Sequence, residues 1–174
     1  MKKVTFITIL VFIITSFTVS DKIEALIQKE IKTVLKIESF SKQSVIISKE
    51  LNETLPLKIT NTNFYKINNN DSLLGYYYLG QAFGKTDYFD FIVIFDAKLI
   101  VVKVKVLKYR EERGGEVGSK RWLKQFIGKS SSNNLKYQKD IAAISGATIS
   151  AKSMTNKVNK LFKTIAILNT NKQL

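Results

Sequence analysis

The chain has 174 residues, with 28 Lys plus Arg against 14 Asp plus Glu, one Pro, no Cys and no His. Without Cys there is no disulfide framework, haem attachment site, iron–sulfur ligand set or thiol nucleophile, and without His no serine triad or ordinary zinc site, so any redox role needs an organic cofactor. A formal charge of +14 suits an anionic partner, while 45% hydrophobic residues, with 11 Phe and 7 Tyr, suit one packed domain and exclude a disordered chain.

At the N-terminus, Lys2 and Lys3 precede an apolar run over residues 4–19 that ends in small residues before Asp21. This pattern predicts a signal peptide or an N-terminal membrane anchor over residues 1–20. The run is shorter than the roughly 20 residues that cross a bilayer, which favours the cleaved signal. The expected location is therefore extracytoplasmic, periplasmic or membrane-associated in a bacterium, and nucleic acid is not an expected partner. The Lys surplus keeps such a domain soluble, with attraction to anionic headgroups of about 1 kcal/mol per Lys or Arg as a by-product.

Over residues 21–36, Ile23, Leu26, Ile27, Ile31, Val34 and Leu35 recur at helical spacing opposite Lys22, Gln28, Lys29 and Lys32, which predicts an amphipathic helix. A short strand is expected at 44–48, and an Asn-rich loop over 61–71, broken by a small strand at 64–67. Residues 73–83, 88–95 and 99–109 are rich in aromatic and β-branched residues and have short connections, so they predict an antiparallel meander. In the last of these, Val102, Val104 and Val106 alternate with Lys103 and Lys105, which predicts one dry face and one wet face.

Residues 110–118 (REERGGEVG) are charged and rich in Gly. Residues 119–129 suit a short helix turning Trp122, Leu123, Phe126 and Ile127 inward, and 130–134 a polar loop. A long helix over 148–168 has Ala151, Met154, Val158, Leu161, Phe162 and Ile165 on one stripe. The expected fold class is α+β: an antiparallel sheet meander with flanking helices. Residues 21–72 form an N-terminal helix and short strands, and 73–168 the core of a single domain.

The sharpest local feature is the stretch Ile144-Ser145-Gly146-Ala147-Thr148-Ile149-Ser150 just before the last helix. Gly146 permits backbone conformations closed to other residues, Ala147 leaves the approach open, and the hydroxyls of Ser145, Thr148 and Ser150 sit beside unpaired N–H groups. A helix start of this kind attracts phosphate, and plain N-capping explains the same residues equally well.

Taken with residues 109–129 (YREERGGEVGSKRWLKQFIGK), the stretch DIAAISGATIS over 140–150 resembles the FMN-binding domain family, across roughly residues 75–165. That family includes the exported flavin subunits of sodium-pumping NADH:quinone reductase and of the Rnf complex. The resemblance implies FMN ester-linked through its phosphate to Thr148, attached after export by a magnesium-requiring flavin transferase with FAD as donor. It implies an electron carrier serving membrane or exported redox partners rather than a self-standing enzyme, with no protein acid, base, nucleophile or metal required. Ser145, Gly146 and Ala147 would surround the phosphate. Glu112, Gly115 and Trp122 are further cofactor-binding candidates, Glu116 could reach the ribityl chain, and Tyr76, Tyr77, Tyr78 and Phe83 join Trp122 as candidate walls for the ring. One position departs from the family pattern, for Ala142 stands where the motif carries an acid three residues before the serine. That departure supports an alternative expectation, a binding or accessory module of the same fold without attached flavin.

Overall fold

The computed structural model describes residues 18–70 and 72–174, so most of the expected signal or anchor segment lies outside the described residues. Chain order gives α1 (Thr18–Leu35), β1 (Ser41–Ser44), α2 (Lys49–Thr54), β2 (Phe64–Asn69), β3 (Ser72–Phe83), β4 (Tyr88–Asp96), β5 (Val101–Lys108), α3 (Lys120–Leu123) and α4 (Thr148–Thr170). Among the described residues no helix is long and apolar enough to cross a membrane. The five strands form one sheet in the order β1-β2-β3-β4-β5, every neighbour antiparallel, which is the expected meander in an α+β fold.

Helices cover both faces of this sheet. On one, Ala151, Met154, Val158, Leu161, Phe162 and Ile165 of α4 are at most 1% exposed and pack with Phe91, Val93 and Phe95 of β4. On the other, Ile27 and Ile31 of α1 meet Ile67, Tyr77, Ile92 and Ile94. Alternate residues of β4 thus enter different cores, which is why Phe91 to Phe95 are apolar without interruption and fully buried. Burying each such side chain stabilises the fold by about 1.5–3 kcal/mol.

The second helical layer corrects the expectation for β5. A register shift between Ile94 and Phe95 turns Val102 away from Val104 and Val106 and into the α1 core. The lysine face is not open to water either. Glu30 of α1, its side chain only 13% exposed, lies 3.2 Å from Lys103 Nζ and 3.5 Å from Lys105 Nζ.

The strand expected at 44–48 forms earlier, at Ser41–Ser44, and Ser48 instead caps α2 by accepting a hydrogen bond from the Leu51 N–H. The helix expected over 119–129 is broken: 3₁₀ turns at Gly115–Gly118 and Lys124–Phe126 flank the single turn of α3. Trp122, Leu123 and Phe126 point inward as expected. Ile127 does not, because the backbone becomes extended at that residue and carries its side chain out to solvent. The long loop before α4 is held by Asn159, whose amide bonds the Leu135 N–H and C=O at 2.8 and 2.7 Å.

Candidate functional site

The turn that opens α4 is closed by a hydrogen bond from the Ala147 N–H to the Ile144 carbonyl, 3.1 Å long. Gly146 sits at φ +78, the left-handed region that glycine occupies without steric cost, and a Cβ there would meet open space. Ala147 takes the N-cap position, and no side chain caps the helix. The first-turn N–H groups therefore lack the side-chain acceptor that a Ser or Thr at that position would supply.

The three hydroxyls part company here. Ser145 is exposed on the turn, and Thr148 is exposed as the first residue of the helix. Ser150 is 3% exposed and faces inward, its Oγ 3.2 Å from the Tyr109 hydroxyl. Plain N-capping by a hydroxyl residue does not occur.

The glycine-rich segment meets this turn directly. Gly114, buried and at φ +82, lies so close that a Cβ on it would sit 3.3 Å from Ala147 Cβ and 2.8 Å from the Tyr109 hydroxyl. Tyr109 donates to the Arg113 carbonyl at 3.0 Å and bridges to Ser150, which ties the two segments together. Burial pushes its phenol above the usual range, so it stays protonated as a donor. Glu111 holds the β3–β4 turn by accepting from the N–H groups of Thr86 at 2.7 Å and Asp87 at 3.1 Å. Those bonds hold its carboxyl below the ordinary carboxylate range.

Two grooves flank the α4 turn. One, of about 570 Å³, is lined by Glu116, Trp122, Gln125, Ala142 and Ser145 among others. Trp122 is pinned there: its Nε1–H donates to the Ala142 carbonyl at 2.8 Å, while Gln125 Oε1 accepts from the Ala142 N–H at 2.8 Å. The Ala142 methyl is left exposed. The other groove, of about 560 Å³, contains Thr148, Phe83, Tyr88, Ile149, Lys152 and Lys157. Phe83 and Tyr88 are 41% and 52% exposed and meet edge to face at 5.0 Å. Burial first, and the neighbouring Lys160 second, depress the pKa of Lys157.

Thr148, Ser145, Gly146, Ala147 and Trp122 are therefore gathered around one helix start, and Gly115 adjoins Gly114 beside it. Glu112 is exposed and lines neither groove. Tyr76, Tyr77 and Tyr78 are at most 3% exposed and belong to the cores, whereas Phe83 is 41% exposed and lines the Thr148 groove. Sequence reasoning missed Tyr88, whose signal was its place directly across the hairpin from Phe83. It also missed the role of Tyr109, whose contacts join segments far apart in the chain.

Residues 84–163 match the model of the FMN-binding domain family. No curated protein matches the chain. The matched segment contains the Gly114 turn, Trp122, Thr148 and most of the walls of both grooves, so the part of the chain that builds this site is similar to the FMN-binding domain family.

Proposed function

We propose that Thr148 carries FMN through a phosphoester and that the protein transfers electrons outside the cytoplasm. The observation that carries this reading is the state of the α4 start: an exposed Thr148 hydroxyl on a helix whose first turn has no side-chain cap, inside a segment that matches the FMN-binding domain. The residues suit a phosphate monoanion. First-turn N–H groups and the helix dipole favour negative charge, Gly146 and Ala147 keep bulk away, and Lys152 and Lys157 lie in the adjoining groove.

Attachment balances as a phosphoryl transfer from FAD. The Thr148 hydroxyl oxygen bonds to the FMN phosphorus, the bridging oxygen departs with AMP, and the hydroxyl proton is released. A flavin transferase requiring magnesium would supply the catalysis, since among the described residues no carboxylate hydrogen-bonds the Thr148 hydroxyl. Bound flavin supplies the redox chemistry; the chain positions it, excludes water from one side and sets the local charge. Export is supported by Lys2, Lys3 and the apolar run that follows them.

Co-expression with a flavin transferase and intact-mass measurement test the reading. The expected product is heavier by one FMN less water, keeps its yellow colour after acid precipitation, and lacks both signs in Thr148→Val. A colourless product of unmodified mass refutes attachment and favours the second reading, a flavin-free accessory module. One observation favours that alternative: the exposed methyl of Ala142 at the position of the motif acid.

A further inference from the structure

β5 is an edge strand of the sheet, for only β4 pairs with it. Its outer side is taken at Val101: the Val101 N–H donates to the Lys129 carbonyl, and the Val101 carbonyl accepts from the Gly128 N–H, each at 2.8 Å. From Lys103 to Leu107, no backbone bond reaches another segment on that side among the described residues. Such an edge presents both donors and acceptors to whatever lies next to it.

A groove of about 240 Å³ lies between this strand and α3. Val104 and Leu123, each 3% exposed, line it together with Ile127, which is 44% exposed. The volume is below that of ordinary small-molecule sites and suits one side chain of a partner. Lys103, Lys105, Lys120 and Lys124 also line it, and no carboxylate does. Glu30 pairs with Lys103 and Lys105 from the α1 side, whereas Lys120 and Lys124 are exposed and have no carboxylate within ion-pair reach among the described residues. One carboxylate against four ammonium groups leaves the patch positive. None of its residues lines either groove beside the α4 turn.

We propose that the β5 edge and this groove form a docking surface for an extended acidic segment of a partner protein, which adds a strand to β5 and sets one apolar side chain against Ile127. Charge and hydrogen bonding select that occupant. A second copy of this chain would bring lysines to lysines and is repelled. A lipid phosphate is an acceptor only, so it meets the ammonium groups and the edge N–H groups but leaves the edge carbonyls without a donor. A peptide strand supplies both, while its carboxylates face the lysines and its apolar side chain fills the groove. The attraction speeds encounter and confers specificity more than affinity, which suits a transient partner. The surface does not depend on attachment at Thr148.

The test titrates the full chain against a fluorescein-labelled peptide of alternating Glu and Val, with an alternating Lys and Val peptide and phosphatidylglycerol vesicles as comparisons. The Glu peptide is expected to bind, less tightly as salt rises, and to shift the backbone amide resonances of residues 103–107 most. Ile127→Asp should weaken binding about tenfold, the scale of a lost interface anchor. Lys120→Glu combined with Lys124→Glu should weaken it too, and circular dichroism checks that these exposed changes leave the fold intact. The same two reversals made in α2 and α4, Lys49→Glu with Lys163→Glu, should have less effect. Equal weakening by that pair overturns the proposal, because bulk charge would then account for binding. Unchanged affinity in Ile127→Asp overturns it, as do amide shifts centred outside residues 103–107 and failure of the wild type to bind the Glu peptide. Binding to the vesicles but not to the Glu peptide assigns the patch to a lipid surface and overturns it as well.

Discussion

Replacing Gly114 with Ala should damage the protein at the point where its two functional segments meet. Gly114 sits at φ +82, where a side chain costs about 1–2 kcal/mol. The new methyl would also stand 2.8 Å from the Tyr109 hydroxyl and 3.3 Å from Ala147 Cβ, closer than such contacts ordinarily come. Relief requires Tyr109 to move, which breaks its bonds to the Arg113 carbonyl and to Ser150 at about 1 kcal/mol each. The expected loss is about 3–4 kcal/mol, or a fall in Tm of roughly 6–16 °C for a chain of this size. Gly146→Ala provides the control. Its φ is +78, but nothing crowds its Cβ position, so only the backbone strain of about 1–2 kcal/mol applies. Urea denaturation of both variants measures the difference, and labelling by the flavin transferase reports whether the α4 turn has shifted. Equal destabilisation by the two substitutions would refute the claim that Gly114 is selected by the approach of Tyr109 and Ala147.

Ala142→Asp should fold normally, because the side chain is exposed and its backbone stays clamped by Trp122 and Gln125, and it should increase flavin labelling in a timed transferase assay. No increase would show that an acid at this position does not limit attachment. Glu111→Gln should destabilise the β3–β4 turn at neutral pH. The backbone N–H groups of Thr86 and Asp87 hold the folded-state pKa of Glu111 below the ordinary carboxylate value, so its stabilising contribution is present above that ordinary value and disappears as pH falls through the folded one. Hydrogen exchange at the Thr86 and Asp87 amides, compared with wild type at neutral and acid pH, reads this directly, and a difference independent of pH counts against it. Glu30→Ala should cost about 1 kcal/mol, since it leaves Lys103 and Lys105 facing the apolar side of α1, and adding salt should shrink the effect. A neutral substitution there would mean that the helix is held by its apolar packing without help from the ion pairs.

The amino-acid sequence by itself determined those features that depend on neighbours a few residues away. Helical spacing was enough to place α1 and the buried stripe of α4, and short connections between aromatic, β-branched runs were enough for the antiparallel meander. The stretch over 144–150 was legible as a turn and helix start, because Gly146 acts through local backbone geometry.

What the tertiary structure decided depends on contacts across the chain. Only the register shift in β5 and the packing of α1 could show that Val102 joins the second core and that Glu30 meets Lys103 and Lys105. A local alternation of Val and Lys looks the same whether water or a carboxylate lies above it. Ser145, Thr148 and Ser150 were indistinguishable as hydroxyls until Tyr109 took Ser150 inward and left Thr148 at the surface. The same holds for the aromatics: Tyr76, Tyr77 and Tyr78 differ from Phe83 and Tyr88 only in what covers them. Burial is a property of the partner surface, and a sequence states which residues can form such a surface without stating where it will be.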